Sequence, residues 1–188
     1  MNTYDLIMGP LEKKALYSMR EQYIKQASGK VLEVGAGTGV NIGFYNKVDL
    51  TVSDRSISDI LRDKLSDSQL NYDIRVCDVM NLPFEDDTFD TLVSTLVFCS
   101  VEDVSKGLME LKRVLKANGR LIFLEHVLPH EEPSRTLFNV LTPIWKRLAS
   151  NCHLNRDYMK ALKDNGFKIE DHHYRAGSKF VAGIAIIK

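Results

Sequence analysis

The chain has 188 residues, 44% of them apolar and 27% charged, a balance that fits one globular domain with a sizeable core. Its 25 basic and 25 acidic side chains cancel, so no global positive field favours nucleic acid or an anionic membrane, and a small, roughly neutral partner is expected. Cys77, Cys99 and Cys152 form no CxxC pair and no metal-ligand rhythm, so no metal is expected, and their odd, sparse count suits a reducing, cytoplasmic compartment.

The start, MNTYDLIMGP, lacks the basic and apolar regions of a secretory signal. No apolar run approaches the roughly 18–20 residues of a membrane-spanning helix. A helix is predicted from about Pro10 to Ala27, with Pro10 at its first position and Leu11, Ala15, Met19 and Tyr23 on one face. Strands follow at Lys30–Val34, Leu50–Ser53, Asp73–Cys77, Thr91–Leu96 and Arg120–Glu125, short and apolar as strands buried on both faces should be. Helices are predicted at Ile57–Ser66 and Val104–Lys116. In the second, Val104, Leu108, Leu111 and Leu115 form a stripe, and Asn118-Gly119 is expected to supply a left-handed C-cap.

After the fifth strand, EEPSRTLFNVLTPIWKRLAS places Leu137, Phe138, Leu141, Ile144, Trp145 and Leu148 at helical spacing, and Pro133 and Pro143 imply two short helices or one kinked helix. That stripe reads either as core packing of a lid helix or as an apolar acceptor wall or membrane contact, with Arg135, Lys146 and Arg147 beside it. FKIEDHHY (167–174) and FVAGIAII (180–187), joined by RAGSK, leave room only for an antiparallel hairpin. Alternating strands and helices imply an α/β fold: a seven-stranded, mostly parallel sheet with an antiparallel last strand and helices on both faces. Residues 1–188 read as one domain, with 1–28 as a helical lid and 129–152 as a helical insertion over a pocket.

The first strand breaks into Gly35-Ala36-Gly37-Thr38-Gly39. A dinucleotide fingerprint, GxGxxG, would need its third glycine at Val40, and no GK[ST] ending is present for a triphosphate. Asp54 ends the second strand, 19 residues after Gly35, where a carboxylate accepts from ribose hydroxyls. Asp78 follows the third strand at the same edge, within reach of a base amino group or serving only its own turn.

The set LEVGAGTG, VSDRS, CDVMNLPFEDDTFD and LKRVLKANGRLIFLEH, spanning roughly residues 30–126, resembles the class I S-adenosylmethionine (SAM)-dependent methyltransferases, in their small-molecule branch. YDLIMGPLEKK, and the pairing of TLVFCSV with LEHV, are similar to the subgroup of bacterial phospholipid N-methyltransferases and animal thiol methyltransferase-like proteins. The resemblance implies a Rossmann-like fold, SAM as cofactor and S-adenosyl-L-homocysteine as product. It implies that backbone at Gly35, Ala36, Gly37 and Gly39 meets the methionine moiety and ribose, and that Glu33 helps hold the amino group. Asp54 takes the ribose hydroxyls, Arg55 flanks the adenine, and Asp78 with Val79 reads its edge. Thr95 and Leu96 lie near the transferable methyl, and Tyr4 folds over as a lid.

A sulfonium methyl is already activated, so transfer asks for alignment more than for acids and bases. His126, just after the fifth strand, is the candidate base for an acceptor that must lose a proton, or else a loop-holding histidine. His153 reads as reaching the pocket or capping the next helix, His172 and His173 as structural or solvated, and Cys99 as a small core residue. The expected function is methyl transfer to N, S or O of a small, partly apolar or lipid-like acceptor, with no nucleic acid and at most peripheral membrane contact. The alternatives are a SAM-binding module without turnover and, against the glycine spacing, an NAD-binding oxidoreductase. The oligomeric state is left open.

Overall fold

A computed structural model describes residues 16–149 and 151–188. Tyr4, Leu11, Ala15 and most of the proposed leading lid lie outside the described residues. Among the described residues the elements are, in order, α1 (Tyr17–Ile24), β1 (Lys30–Val34), a 3-10 turn (Ile42–Phe44), β2 (Asp49–Asp54), α2 (Asp59–Ser66), β3 (Asn71–Val76), β4 (Phe89–Thr95), α3 (Val104–Val114), β5 (Leu115–His126), α4 (Ser134–Leu148), α5 (Tyr158–Asp164), β6 (Phe167–Arg175) and β7 (Phe180–Ile187).

The strands form one seven-stranded sheet in the order β3-β2-β1-β4-β5-β7-β6. β1 pairs in parallel with β2 and β4, while β7 runs antiparallel between β5 and β6, as the short RAGSK link requires. Period-2 alternation splits the core between the two faces of the sheet. Val31, Leu50 and Val52 pack with Met19 and Tyr23 of α1 and Leu61 and Leu65 of α2. Leu32, Val34 and Phe123 pack on the other face with Leu108 and Leu111 of α3 and Leu162 of α5. Three helices start on side-chain caps: Ser58, Asp103 and Asp157 accept from the amides of Leu61, Lys106 and Lys160.

Three local expectations change. β3 is an edge strand and almost wholly exposed, with Asn71, Asp73 and Arg75 alternating along it, so it is not buried on both faces. α3 stops at Val114, and Leu115 (φ −83°, ψ 129°) already pairs with Phe89 as the first residue of β5. Asn118-Gly119 is therefore no C-cap. It lies within β5, beside a register shift between Phe89 and Thr91. Residues 134–148 form one helix with Pro143 inside it; Thr142, the residue of α4 that is fully buried, returns its hydroxyl to the Phe138 carbonyl at 2.7 Å.

The structure also explains why two distant stretches occur together. Arg113, in KRVLK, donates to the carbonyls of Leu82 (2.9 Å) and Phe84 (2.7 Å) and to the carboxylates of Asp86 and Glu110 (both 2.8 Å). Glu110 in turn accepts from the Leu82 amide at 2.8 Å. The turn LPFED is thus clamped to the last turn of α3 by a planar, multidentate group that lysine cannot copy. Arg113→Ala is expected to lower stability by about 2–3 kcal/mol, and Arg113→Lys by more than half of that, in urea denaturation at pH 7.

Candidate active site

The strand order reverses between β1 and β4, and at the carboxyl ends of these strands a cleft opens, the usual place for a ligand in such a sheet. Of the residues singled out in the sequence, Gly35, Asp54, Arg55, Asp78, Val79 and Leu96 line it.

Gly35, Gly37 and Gly39 all take positive φ (64°, 56° and 68°), a region L side chains enter at a cost. A Cβ at position 35 would lie 2.4 Å from Val97, whereas position 37 faces open space with nothing within 4 Å. The turn is tied down from several sides. Asp54 Oδ2 accepts from the Gly37 amide at 2.9 Å, the Ser58 hydroxyl donates to the Gly37 carbonyl at 3.0 Å, and Lys64 Nζ donates to the Thr38 carbonyl at 2.8 Å. Asp54 Oδ1 accepts from the Ser56 amide at 3.3 Å, and Asp78 Oδ1 from the Met80 amide at 2.8 Å. Asp78 therefore does hold its own turn, and each carboxylate oxygen retains a lone pair for a second donor. Two carboxylates at adjacent strand ends, beside an open glycine, suit the hydroxyls and amino group of a nucleoside.

Glu33 and Thr95 stand back from the cleft in a buried network. Glu33 accepts from Asn41 Nδ2 (2.8 Å) and the Tyr45 hydroxyl (2.6 Å), while Arg20 Nη1 donates to Asn41 Oδ1 (2.6 Å) and Thr95 Oγ1 (3.0 Å). Burial pushes the Glu33 pKa up, against the lowering effect of those two hydrogen bonds and of the Arg20 charge. Ala36 is buried too, with its amide on the Ser53 carbonyl at 3.1 Å. Arg20 was not singled out, yet a sequence signal for it exists: with Leu16, Met19, Tyr23 and Ile24 it occupies the 3–4 spacing of α1's buried stripe.

Glu125, beside His126, reads from the sequence as a residue turned into the sheet, and its burial agrees; its role does not show there. Fully buried at the end of β5, its Oε1 accepts from Ser94 Oγ (3.2 Å) and from the amides of Val97 and Phe98 (both 3.1 Å). It thereby fixes the loop leaving β4, whose Val97, Ser100 and Glu102 complete the cleft. Its Oε2 makes no hydrogen bond among the described residues, and burial lifts its pKa to about 7.

His126 does not line the cleft. Its ring stacks on Phe138 of α4 (centroids 5.5 Å apart, 6° between planes) and meets Phe180 edge-on at 5.1 Å. Burial, with Lys179 nearby, lowers its pKa to about 4, and Nδ1 is buried without a partner among the described residues. His153 turns Nδ1 to the carbonyls of Asn151 (2.8 Å) and Cys99 (3.2 Å), a loop-holding role. The neighbouring Cys152 thiol and burial push the Cys99 thiol well up, away from nucleophilic use.

Residues 32–123 match the family described as a methyltransferase domain. Thiol S-methyltransferase TMT1B of Rattus norvegicus is 34% identical over 165 residues, 83% of this chain and 67% of that relative. The ubiquinone/menaquinone biosynthesis C-methyltransferase UbiE of Cellvibrio japonicus is 33% identical over 206 residues, 93% of this chain and 82% of the relative. The chain belongs to the class I SAM-dependent methyltransferases. S-adenosylmethionine is this methyltransferase's donor, and its acceptor class is small molecules. The fold agrees with geranyl diphosphate C-methyltransferase from Streptomyces coelicolor A3(2), a crystal structure with Mg2+, geranyl diphosphate and S-adenosyl-L-homocysteine (TM-score 0.72, 16% identity, covering 94% of this chain and 79% of that one).

Two outcomes follow for this methyltransferase. Asp54→Ala removes both the Gly37 anchor and a charged acceptor, bonds worth about 1.5–3 kcal/mol each, so SAM affinity by titration calorimetry should fall at least tenfold. Glu125, raised from its unfolded range near 4.5 to about 7, contributes stability that is fully present below the lower value and lost as pH rises through the upper one. Glu125→Gln keeps the amide acceptor without titrating, so its unfolding free energy in urea denaturation should gain on wild type between pH 5 and 8, by up to roughly 3 kcal/mol.

Proposed function

We propose that the protein methylates a heteroatom, sulfur foremost, of a small, partly apolar acceptor that enters beside the loop after β4 and beneath α4. The observation that carries this reading is the unequal polarity of the site. The carboxylates of Asp54 and Asp78 stand at the ends of β2 and β3, whereas the loop after β4 presents Leu96, Val97 and Val101 to the cleft beside Ser100 and Glu102. Phe138 and Phe180 pack around His126 nearby. A polar half suits the nucleoside of the donor, and the apolar half suits the acceptor.

In this reading Asp54 and Asp78 hold ribose and adenine, the open backbone at Gly37 admits the donor closely, and Arg55 covers the base. Thr95, Glu33 and Arg20 support the amino-acid end from behind. When bound, SAM supplies a methyl on a positively charged sulfur, already electrophilic. What the chain adds is in-line placement and exclusion of water, effects worth roughly 7–11 kcal/mol when reacting atoms are well oriented. The helical insertion 129–152, built around α4, acts as the roof of the acceptor side, and the leading segment 1–28 as a lid over the donor.

A ring with a pKa of about 4 is neutral at pH 7 and a weak base. His126 therefore serves the acceptor side by packing, its stack on Phe138 setting how α4 lies over the site. The likeness to TMT1B supports sulfur, and the likeness to UbiE supports carbon as the second reading. Three free cysteines accord with a cytoplasmic setting.

Mass detection of methylated products from alkyl thiols, phenols, amines and quinol-like rings tests the proposal. Alkyl thiols should be turned over fastest, and a product confined to ring carbon would replace the thiol reading. His126→Phe, which keeps the ring stack, should change turnover of thiols and of amines alike by under about threefold. A loss confined to thiols would instead assign His126 a part in proton transfer.

A further inference from the structure

We propose that one face of α4 docks the protein on an anionic phospholipid surface. The anchoring side of the helix is settled: Phe138 and Trp145 pack on Cys99, Ala149, Cys152 and Leu154, and Thr142 is buried. Beside that stripe lies a second apolar one that turns to solvent. Leu137 is 53% exposed, Val140 66%, Leu141 39%, Ile144 61% and Leu148 67%. At 100° per residue these five fall within an arc of about 100°, along a helix about 22 Å long. Scattered surface leucines need no explanation, but a contiguous stripe of this kind marks an interaction surface.

Charge selects the occupant. α4 carries Arg135, Lys146 and Arg147 and no acidic residue, in a chain whose 25 basic and 25 acidic side chains cancel as a whole. Arg147 stands directly beside the apolar arc, next to Val140 on the helical wheel. Arg135 and Lys146 stand beyond the anchoring stripe, and Lys179 lies over the Phe138 ring at 5.9 Å. Glu131 and Glu132 precede the helix, and the Glu132 carboxylate is occupied by the Thr136 amide at 3.2 Å. An exposed apolar arc with Arg147 at its border, on a helix that carries cations and no carboxylate, is the pattern of a helix that lies in the plane of a lipid interface. Long basic side chains then reach outward to phosphate while the leucines sink between acyl chains. The proposal rests on α4's own surface and stands apart from the choice of acceptor.

The full-length chain should be sedimented with sucrose-loaded vesicles of phosphatidylcholine, with and without phosphatidylglycerol. Binding to the anionic vesicles is expected to be at least tenfold stronger than to the neutral ones and to weaken with salt. Ile144→Glu with Leu148→Glu should reduce it at least tenfold, and Arg147→Glu should lower it by roughly fivefold or more. All three positions lie on the outer side of α4, and an unchanged thermal midpoint would show that the variants fold. Absence of vesicle binding in the wild type would overturn the proposal, as would equal binding to both vesicle types or full binding by the Ile144/Leu148 variant. Two further results would also overturn it. One is a dimer in light scattering, split by Ile144→Glu with Leu148→Glu and never bound to vesicles, which would assign the face to a second copy. The other is binding lost only on removal of residues 1–15, which would assign it to the leading segment.

Discussion

Val97 lies so close over Gly35 that a single added carbon at position 35 would meet its side chain at 2.4 Å. The rest of the site is arranged around that contact. For Val97 to sit there, the chain leaving β4 must turn at once, and Leu96 does so in a left-handed conformation, φ 58°. Such a turn costs a leucine roughly 1–2 kcal/mol. It is held by the Leu96 amide on the Leu124 carbonyl at 2.7 Å and, from below, by Glu125 gathering the amides of Val97 and Phe98. A buried carboxylate, a strained leucine and a bare glycine thus act together to bring the ends of β1 and β4 close enough to share one ligand.

The same arrangement sets the electrical character of each side. Glu125 and His126 are neighbours on a strand, so their side chains leave opposite faces of the sheet. Burial drives both toward neutrality from opposite directions, the acid up to about 7 and the imidazole down to about 4. Near neutral pH the end of β5 therefore carries less charge than its sequence suggests. The ends of β2 and β3 keep partly exposed carboxylates, and the loop after β4 adds Glu102 among its apolar residues Leu96, Val97 and Val101.

Much of this was legible in the sequence, for reasons visible in particular residues. The GxGxG turn is readable because three positive φ angles in five residues demand glycine, and Asp54 and Asp78 because strand ends in a parallel sheet converge on one edge. The early end of α3 was not readable: Leu115 fits the helical stripe as well as it fits a partner for Phe89, and only the sheet decides between them. β3 looked buried because alternation does not say which strand lies at an edge. Arg20 was overlooked because a cation on an apolar stripe suggests a surface residue until Asn41 and Thr95, far away in sequence, come to meet it.

α4 carries that lesson furthest. Periodicity identifies which side chains share a face, but covering that face is the work of other parts of the chain or of another molecule. Here one stripe of six apolar residues divides in two: Phe138 and Trp145 turn inward, while Leu137, Leu141, Ile144 and Leu148 turn out. The division follows from the anchor, because stacking Phe138 on His126 fixes the rotation of the helix and leaves the leucines nowhere to pack. Asp54, Asp78 and the glycine turn sit on strand ends locked by the sheet, whereas α4 is turned about one ring stack. Substitutions on the outer face of α4 can therefore change that surface without disturbing the glycine turn or its carboxylates.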